Sequence, residues 1–153
     1  VCISAVTQNG WILKYIPIVE RTYDVCIAAV KQYGWAIEHV PNYTKSYLLS
    51  WEAVKKNGKA LEFVKSIHKS YELCLTAVSS NGWAFKFVPI VHRTNLMYER
   101  AIKKTPCMAV HIKYRTENMC VSLIEQNKLE FVTLMTGKIY ESLADNGHLN
   151  ITI

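Results

Sequence analysis

A chain of 153 residues, half of them apolar and a fifth charged, is long enough for one compact domain or a short repeat array and too apolar to be disordered. No apolar run approaches the roughly eighteen residues that cross a bilayer, and the formal charge of +6 admits an acidic partner, nucleic acid included, without demanding one. Five cysteines, an odd number with no C-x-x-C pair, argue against a disulfide framework and a zinc site and fit a reducing, intracellular setting.

The opening residues Val1-Cys2-Ile3-Ser4 have no basic segment of a secretory signal and no initiator Met, so a processed chain or a fragment is expected. Ala-Val then occurs at Ala5-Val6, Ala29-Val30, Ala53-Val54 and Ala77-Val78, always 24 residues apart, and Ala101-Ile102 continues the series. Four residues beyond each Val stands Gly10, Gly34, Gly58 or Gly82, with Pro106 in the fifth copy. The next position holds Trp11, Trp35, Lys59, Trp83 and Cys107, and farther on Pro17, Pro41 and Pro89 share a register with Lys65 and Lys113. Copies one and four agree best, in Asn-Gly-Trp, Pro-Ile-Val and Arg-Thr, which points to a three-repeat duplication.

A sixth copy, two residues shorter, aligns Cys120, Leu123-Ile124, Asn127-Lys128 and Phe131-Val132. A seventh begins near Thr136 and stops at Asn146-Gly147. Residues 1–153 therefore read as a single repeat array of about six and a half repeats whose two ends cut through a repeat, a segment expected to belong to a longer solenoid.

Each repeat reads as two helices. The first opens after Thr22, Ser46, Ser70, Thr94 or Asn118, whose side chains can accept an orphan backbone N–H. Asp24 and Glu72 follow in the first turn, where the helix dipole favours negative charge. Tyr23, Cys26, Ile27 and Val30 keep the i, i+3, i+4, i+7 spacing of one buried face, and the Ala beside it implies close helix–helix approach. The Gly fits a left-handed position that stops the helix, and Lys31, Lys55, Lys56, Lys103 and Lys104 complement the dipole in its last turn without needing a ligand. The second helix, such as Trp35-Ala36-Ile37-Glu38-His39-Val40, is ended by Pro41. Its pattern would also suit a short strand, making a β/α leucine-rich-repeat-like solenoid the alternative. Ala36, Ala60 and Ala84 at one register favour helix, because Ala is a poor strand former. The expected class is all-α, an α-solenoid of 24-residue helix–turn–helix repeats.

The pattern A-V-x-x-x-G-W-A-x-x-x-V-P, followed by Thr or Ser before the next helix, resembles an uncharacterised family of short helical repeats, a domain of unknown function found in tandem in giant DNA viruses, some intracellular bacteria and protists. The resemblance runs from Val1 to Val132 and lies in the repeat consensus. It implies the architecture and a viral or effector-like setting, and it brings no activity and no catalytic residue. The fifth copy departs most, with Pro106 and Cys107, so the stack is expected to bend or shift there.

Candidate chemistry is sparse. Cys2, Cys26, Cys74 and Cys120 recur at one register, with Ser50 and Tyr98 in place of Cys elsewhere, as expected of small buried residues and not of a nucleophile. Cys107 is expected to pack as well. His39 and His111 take the slot of Tyr15, Phe63 and Phe87, and His68 and His92 lie a repeat apart in a loop with no ligand at metal spacing. Trp11, Trp35 and Trp83 are expected to wedge between repeats. No serine sits in a nucleophile elbow and no Gly-rich loop cradles phosphate, so neither enzyme chemistry, cofactor nor metal is expected.

One feature resists a local explanation. Arg21, Lys45, Lys69 and Arg93 share a register immediately before the N-cap, where positive charge opposes the helix dipole. Stacked at about 8–10 Å, they would form a ladder along one edge, a site for an anion or an acidic partner or a solvated edge that keeps the array soluble. The expected function is a non-enzymatic protein-interaction or structural scaffold, with sequence-independent nucleic-acid or polyanion binding through the ladder as the alternative.

Overall fold

The computed structural model of the protein describes residues 2–111, the last three by backbone alone. Every element among them is helical, so the short-strand alternative falls away. Five α-helices recur in step: α1 (Cys2–Gln8), α2 (Tyr23–Gln32), α3 (Tyr47–Lys56), α4 (Tyr71–Ser80) and α5 (Asn95–Lys104). Each is followed by a six-residue 3-10 helix, at Gly10–Tyr15, Gly34–His39, Gly58–Phe63, Gly82–Phe87 and Pro106–His111.

The expected second helix is thus of the tighter 3-10 kind. A further 3-10 turn follows at Ile18–Glu20, Ser66–His68 and Ile90–His92, where the sequence reads as loop. In the second repeat Thr44 and Lys45 N–H instead donate to the Pro41 carbonyl. Pro17 and Pro89 hold φ −53° and −57°, and Lys65 adopts φ −60° at the same register, so proline pre-sets a geometry the repeat needs anyway.

Two columns result. Each α-helix packs on the next α-helix, each longer 3-10 helix from Gly10–Tyr15 to Gly82–Phe87 packs on the next of its kind, and α2 to α5 also pack on the 3-10 helices before and after them. Between the columns runs one core built from a single register per layer. Ala29, Ala53, Ala77 and Ala101 are wholly buried, as are Leu13, Ile37 and Leu61. This is the nearest-neighbour construction of a solenoid.

The glycine lies elsewhere in the geometry than expected. None of Gly10, Gly34, Gly58 and Gly82 has a left-handed φ. The helix is closed instead by an extended residue, Tyr33, Asn57, Asn81 or Thr105, whose N–H donates to the Ala carbonyl four residues back. Glycine then begins the 3-10 helix, where it underlies the next repeat. A Cβ on Gly34 would stand 2.7 Å from the Ala53 carbonyl oxygen and 2.9 Å from Lys56 Cβ, and the other three would meet the carbonyls of Ala29, Ala77 and Ala101. The residue is glycine because two backbones meet there, not because the chain turns there. Pro106 opens the fifth 3-10 helix, a position where a missing N–H costs little, and α5 still packs on that helix.

Caps are shared unevenly. Ser46 and Ser70 accept from the N–H of Leu49 and Leu73, whereas Thr22 and Thr94 make no side-chain cap bond. Asn9, Asn57 and Asn81 cap the 3-10 helices by accepting from Trp11, Lys59 and Trp83 N–H. Asn118, Cys120 and the sixth and seventh copies lie outside the described residues, as does the His111 side chain. No described helix is long and apolar enough to cross a membrane.

Candidate interaction surface

The ladder residues turn inward. Arg21 Nη1 donates to the His39 carbonyl at 2.6 Å, Lys45 Nζ to the Phe63 carbonyl at 3.3 Å and Lys69 Nζ to the Phe87 carbonyl at 3.2 Å. Each acceptor is the last residue of the next repeat's 3-10 helix, where carbonyls point out of the helix without partners and carry partial negative charge. The two arginines also reach back within their own repeat. Arg21 donates to the Ile16 and Lys14 carbonyls, and Arg93 to those of Val88 and Lys86.

All four side chains are half-buried and hydrogen-bonded to backbone carbonyls: Arg21, Lys45 and Lys69 tie their repeat to the next, while Arg93 bonds to carbonyls of its own repeat among the described residues. The puzzle of their sign resolves with it. They oppose the dipole of the α-helix that follows and complement that of the 3-10 helix they cap. Burial pushes the Lys45 and Lys69 ammonium groups below the usual lysine range; Lys65 adds to this at Lys45, while Cys74 and Glu62 oppose it at Lys69.

Two residues upstream, the same loops present the opposite face. Val19, Tyr43, Ile67 and Val91 occupy one register and are 87%, 77%, 86% and 84% exposed. Ile18 and Ile90 stand beside them, and the Tyr43 hydroxyl donates to the Ile18 carbonyl of the preceding repeat. The cause is local. The short 3-10 turn, or in the second repeat the turn that follows Pro41, brings its cation inward, and the side chain two residues earlier faces out. This apolar ridge was missed by the sequence reading, which noticed Pro-Ile-Val only as a likeness between copies one and four. The 24-residue period applied to position 19 would have found it.

The remaining candidates sort into packing roles. Cys26 and Cys74 are buried, with burial pushing both thiols up to about 11, too high for a thiolate at neutral pH. Cys2 is only partly buried and its thiol donates to Glu20. Cys107, expected to pack, is exposed. Trp11 meets Tyr33 and His39 of the next repeat edge-on, at 5.7 and 5.8 Å, and Trp35 meets Phe63 at 5.7 Å, as wedges between repeats should. Lys14 and Lys86 lie over Trp11 and Trp83 at 4.4 Å.

His39 fills its aromatic slot at a cost, for its Nε2 is buried without a hydrogen-bond partner. Burial lowers its pKa, Glu38 opposing and Arg21, Lys14 and Lys45 assisting. His68 is half-buried with Nδ1 3.5 Å from Ser50 Oγ, and His92 is edge-on to Tyr71. No three His, Cys, Asp or Glu side chains cluster as a metal site among the described residues.

Neither a curated protein nor a solved structure matches the chain. Residues 1–45 and 49–91 match a family described as a domain of unknown function (DUF4116), each match covering nearly two of the 24-residue repeats. Together these matches cover more than half of the sequence, and the chain belongs to that family.

Proposed function

We propose that the protein is a non-enzymatic scaffold that binds other proteins along the ridge of Val19, Tyr43, Ile67 and Val91, in an intracellular, cytoplasmic or virion-associated setting of viral or effector-like kind. The supporting observation is the ridge itself: four large apolar side chains, nearly fully exposed, at one register of four consecutive repeats. Scattered exposed apolar residues need no explanation, but a row of them marks a contact surface. Fully burying such a side chain gains about 1.5–3 kcal/mol, so one row suffices for a specific contact.

The partner is an amphipathic helix. Stacked repeats advance about 8–10 Å each, and seven residues of an α-helix advance about 10.5 Å. At the upper end of that spacing, a helix with one apolar stripe brings an apolar residue close to each ridge position in turn. The alternative, polyanion binding through Arg21, Lys45, Lys69 and Arg93, would have to compete with the carbonyls those cations already serve.

Photo-crosslinking from positions 67 and 91 in the cells that make the protein, followed by reconstitution with the purified partner, tests the reading. Val19→Ser, Tyr43→Ser, Ile67→Ser and Val91→Ser together should weaken partner binding at least about tenfold while leaving helical content unchanged. Retained affinity, or crosslinks to a polar coil or to a second copy of the chain, would overturn it.

A further inference from the structure

The α-helices carry a second charged surface at their other end. Lys31, Lys55 and Lys103 share one register with Ser79, and Lys56 and Lys104 share the next with Gln32 and Ser80. All five lysines are exposed, as is Arg100 one turn earlier on α5. None of the six makes a hydrogen bond or ion pair among the described residues, although Glu52 and Glu99 stand three or four residues away on the same helices. The ladder near the N-caps is spent on carbonyls. This set is free.

The helix dipole accounts for one cation at a helix end and for about 0.3–1 kcal/mol. It does not account for two on α3, or for two with Arg100 added on α5. The surface is also grooved between successive helices at this end. A groove of about 290 Å³ is lined by Ser79, Arg100, Lys103 and Lys104, and one of about 420 Å³ by Thr7, Ile27, Ala28, Lys31 and Gln32. Both lie at the same place between neighbouring helices, α4–α5 and α1–α2.

We infer that this face binds the phosphate backbone of duplex nucleic acid without reading its sequence. From α2 to α5 the cations extend over three inter-helix steps of about 8–10 Å, about 24–30 Å in all and within the roughly 34 Å of one duplex turn. The two lysine registers carry no aromatic side chain. They offer no platform for the unstacked bases of a single strand and no apolar wedge for a lipid surface. What they offer is exposed cations on α2, α3 and α5, with Ser79 and Ser80 at the α4 step, the chemistry that displaces counterions from a duplex. The inference is independent of the ridge and of any protein partner.

Fluorescence anisotropy with a labelled duplex of arbitrary sequence, about two turns long, tests it on the whole chain between about 50 and 200 mM salt. Four to six phosphate contacts should give a log–log salt slope of about −4 to −5 at roughly −0.9 per contact. Replacing Lys31, Lys55, Lys56, Arg100, Lys103 and Lys104 by Gln should abolish binding and leave the helical signal intact. Should that variant lose its helical signal, the pairs Lys55→Gln with Lys56→Gln and Lys103→Gln with Lys104→Gln should each flatten the slope by about 1.8. The inference fails if the duplex is not bound at low salt, or if these variants bind as the parent does. It fails equally if a single strand, or a vesicle rich in phosphatidylserine, is bound more tightly than the duplex.

Discussion

A cation placed just ahead of an α-helix is repelled by that helix's dipole, so its persistence through four repeats needs a compensating partner. For Arg21, Lys45 and Lys69 the partner is the carbonyl that ends the next repeat's 3-10 helix, and for Arg93 it is the carbonyls of Val88 and Lys86 in its own repeat. A hydrogen bond from a charged donor contributes about 1.5–3 kcal/mol, discounted here because Lys69 stays half-exposed. Lys69→Met should therefore lower stability by about 1 kcal/mol, read in a urea titration, and Lys69→Arg should restore part of it; a Lys69→Met variant as stable as the parent would show the contact to be incidental. His39 gives the second residue-scale expectation. Its pKa is lowered below 6.5, so the unfolded chain binds the proton more readily and the stability tied to the neutral ring is full above 6.5 and lost as the pH falls below it. His39→Phe removes the unpartnered Nε2 and should match or exceed the parent's melting temperature at about pH 7 and fall less steeply towards pH 5. Parallel falls in the two proteins would show that the His39 ring does not carry the pH dependence. At this scale the sequence displayed the charge of the ladder but not its direction, because direction depends on a carbonyl 18 residues away.

At the scale of elements, the helices, their period and the buried Ala-Val face were legible because each is a local signal repeated at 24-residue intervals. What was not legible is the role of glycine. A Gly just past a helix has the look of a left-handed stop, and nothing nearby in the sequence distinguishes that from a close approach by the following repeat. The 3-10 character of the second helix was likewise hidden, since six residues are too few for a 3.6-residue period to separate from a three-residue one. The close approach makes a sharp prediction. Gly34→Ala places a methyl group against the Ala53 carbonyl and should cost about 1–3 kcal/mol, although at a left-handed stop the loss would come from φ alone. Gly34→Asn separates the two accounts, for Asn tolerates left-handed φ but is larger than Ala. A thermal melt showing Asn worse than Ala supports the packing account, and Asn better than Ala would overturn it.

At the scale of the molecule, each junction places a glycine under an Ala carbonyl; Trp11 and Trp35 add a ring against the next repeat, and Arg21, Lys45 and Lys69 add a cation on its 3-10 carbonyl. Because these contacts join only neighbours, damage at one junction should not be felt two junctions away. Gly10→Ala strikes the junction with α2 and Gly82→Ala the junction with α5, so their combined loss of stability should equal the sum of the single losses within about 0.5 kcal/mol. Gly34→Ala and Ala53→Leu act on one junction, for the new methyl meets the Ala53 carbonyl itself. Once either has pushed α3 away, the other has less left to disturb, and the pair should cost at least about 0.5 kcal/mol less than the sum. Equilibrium denaturation of the four single and two double variants measures both. Strong coupling between Gly10→Ala and Gly82→Ala would show that the array behaves as one rigid core. Its outward rows, the apolar ridge and the free lysines, would then no longer sit on independent steps, and a partner held at one repeat would change the affinity of the next.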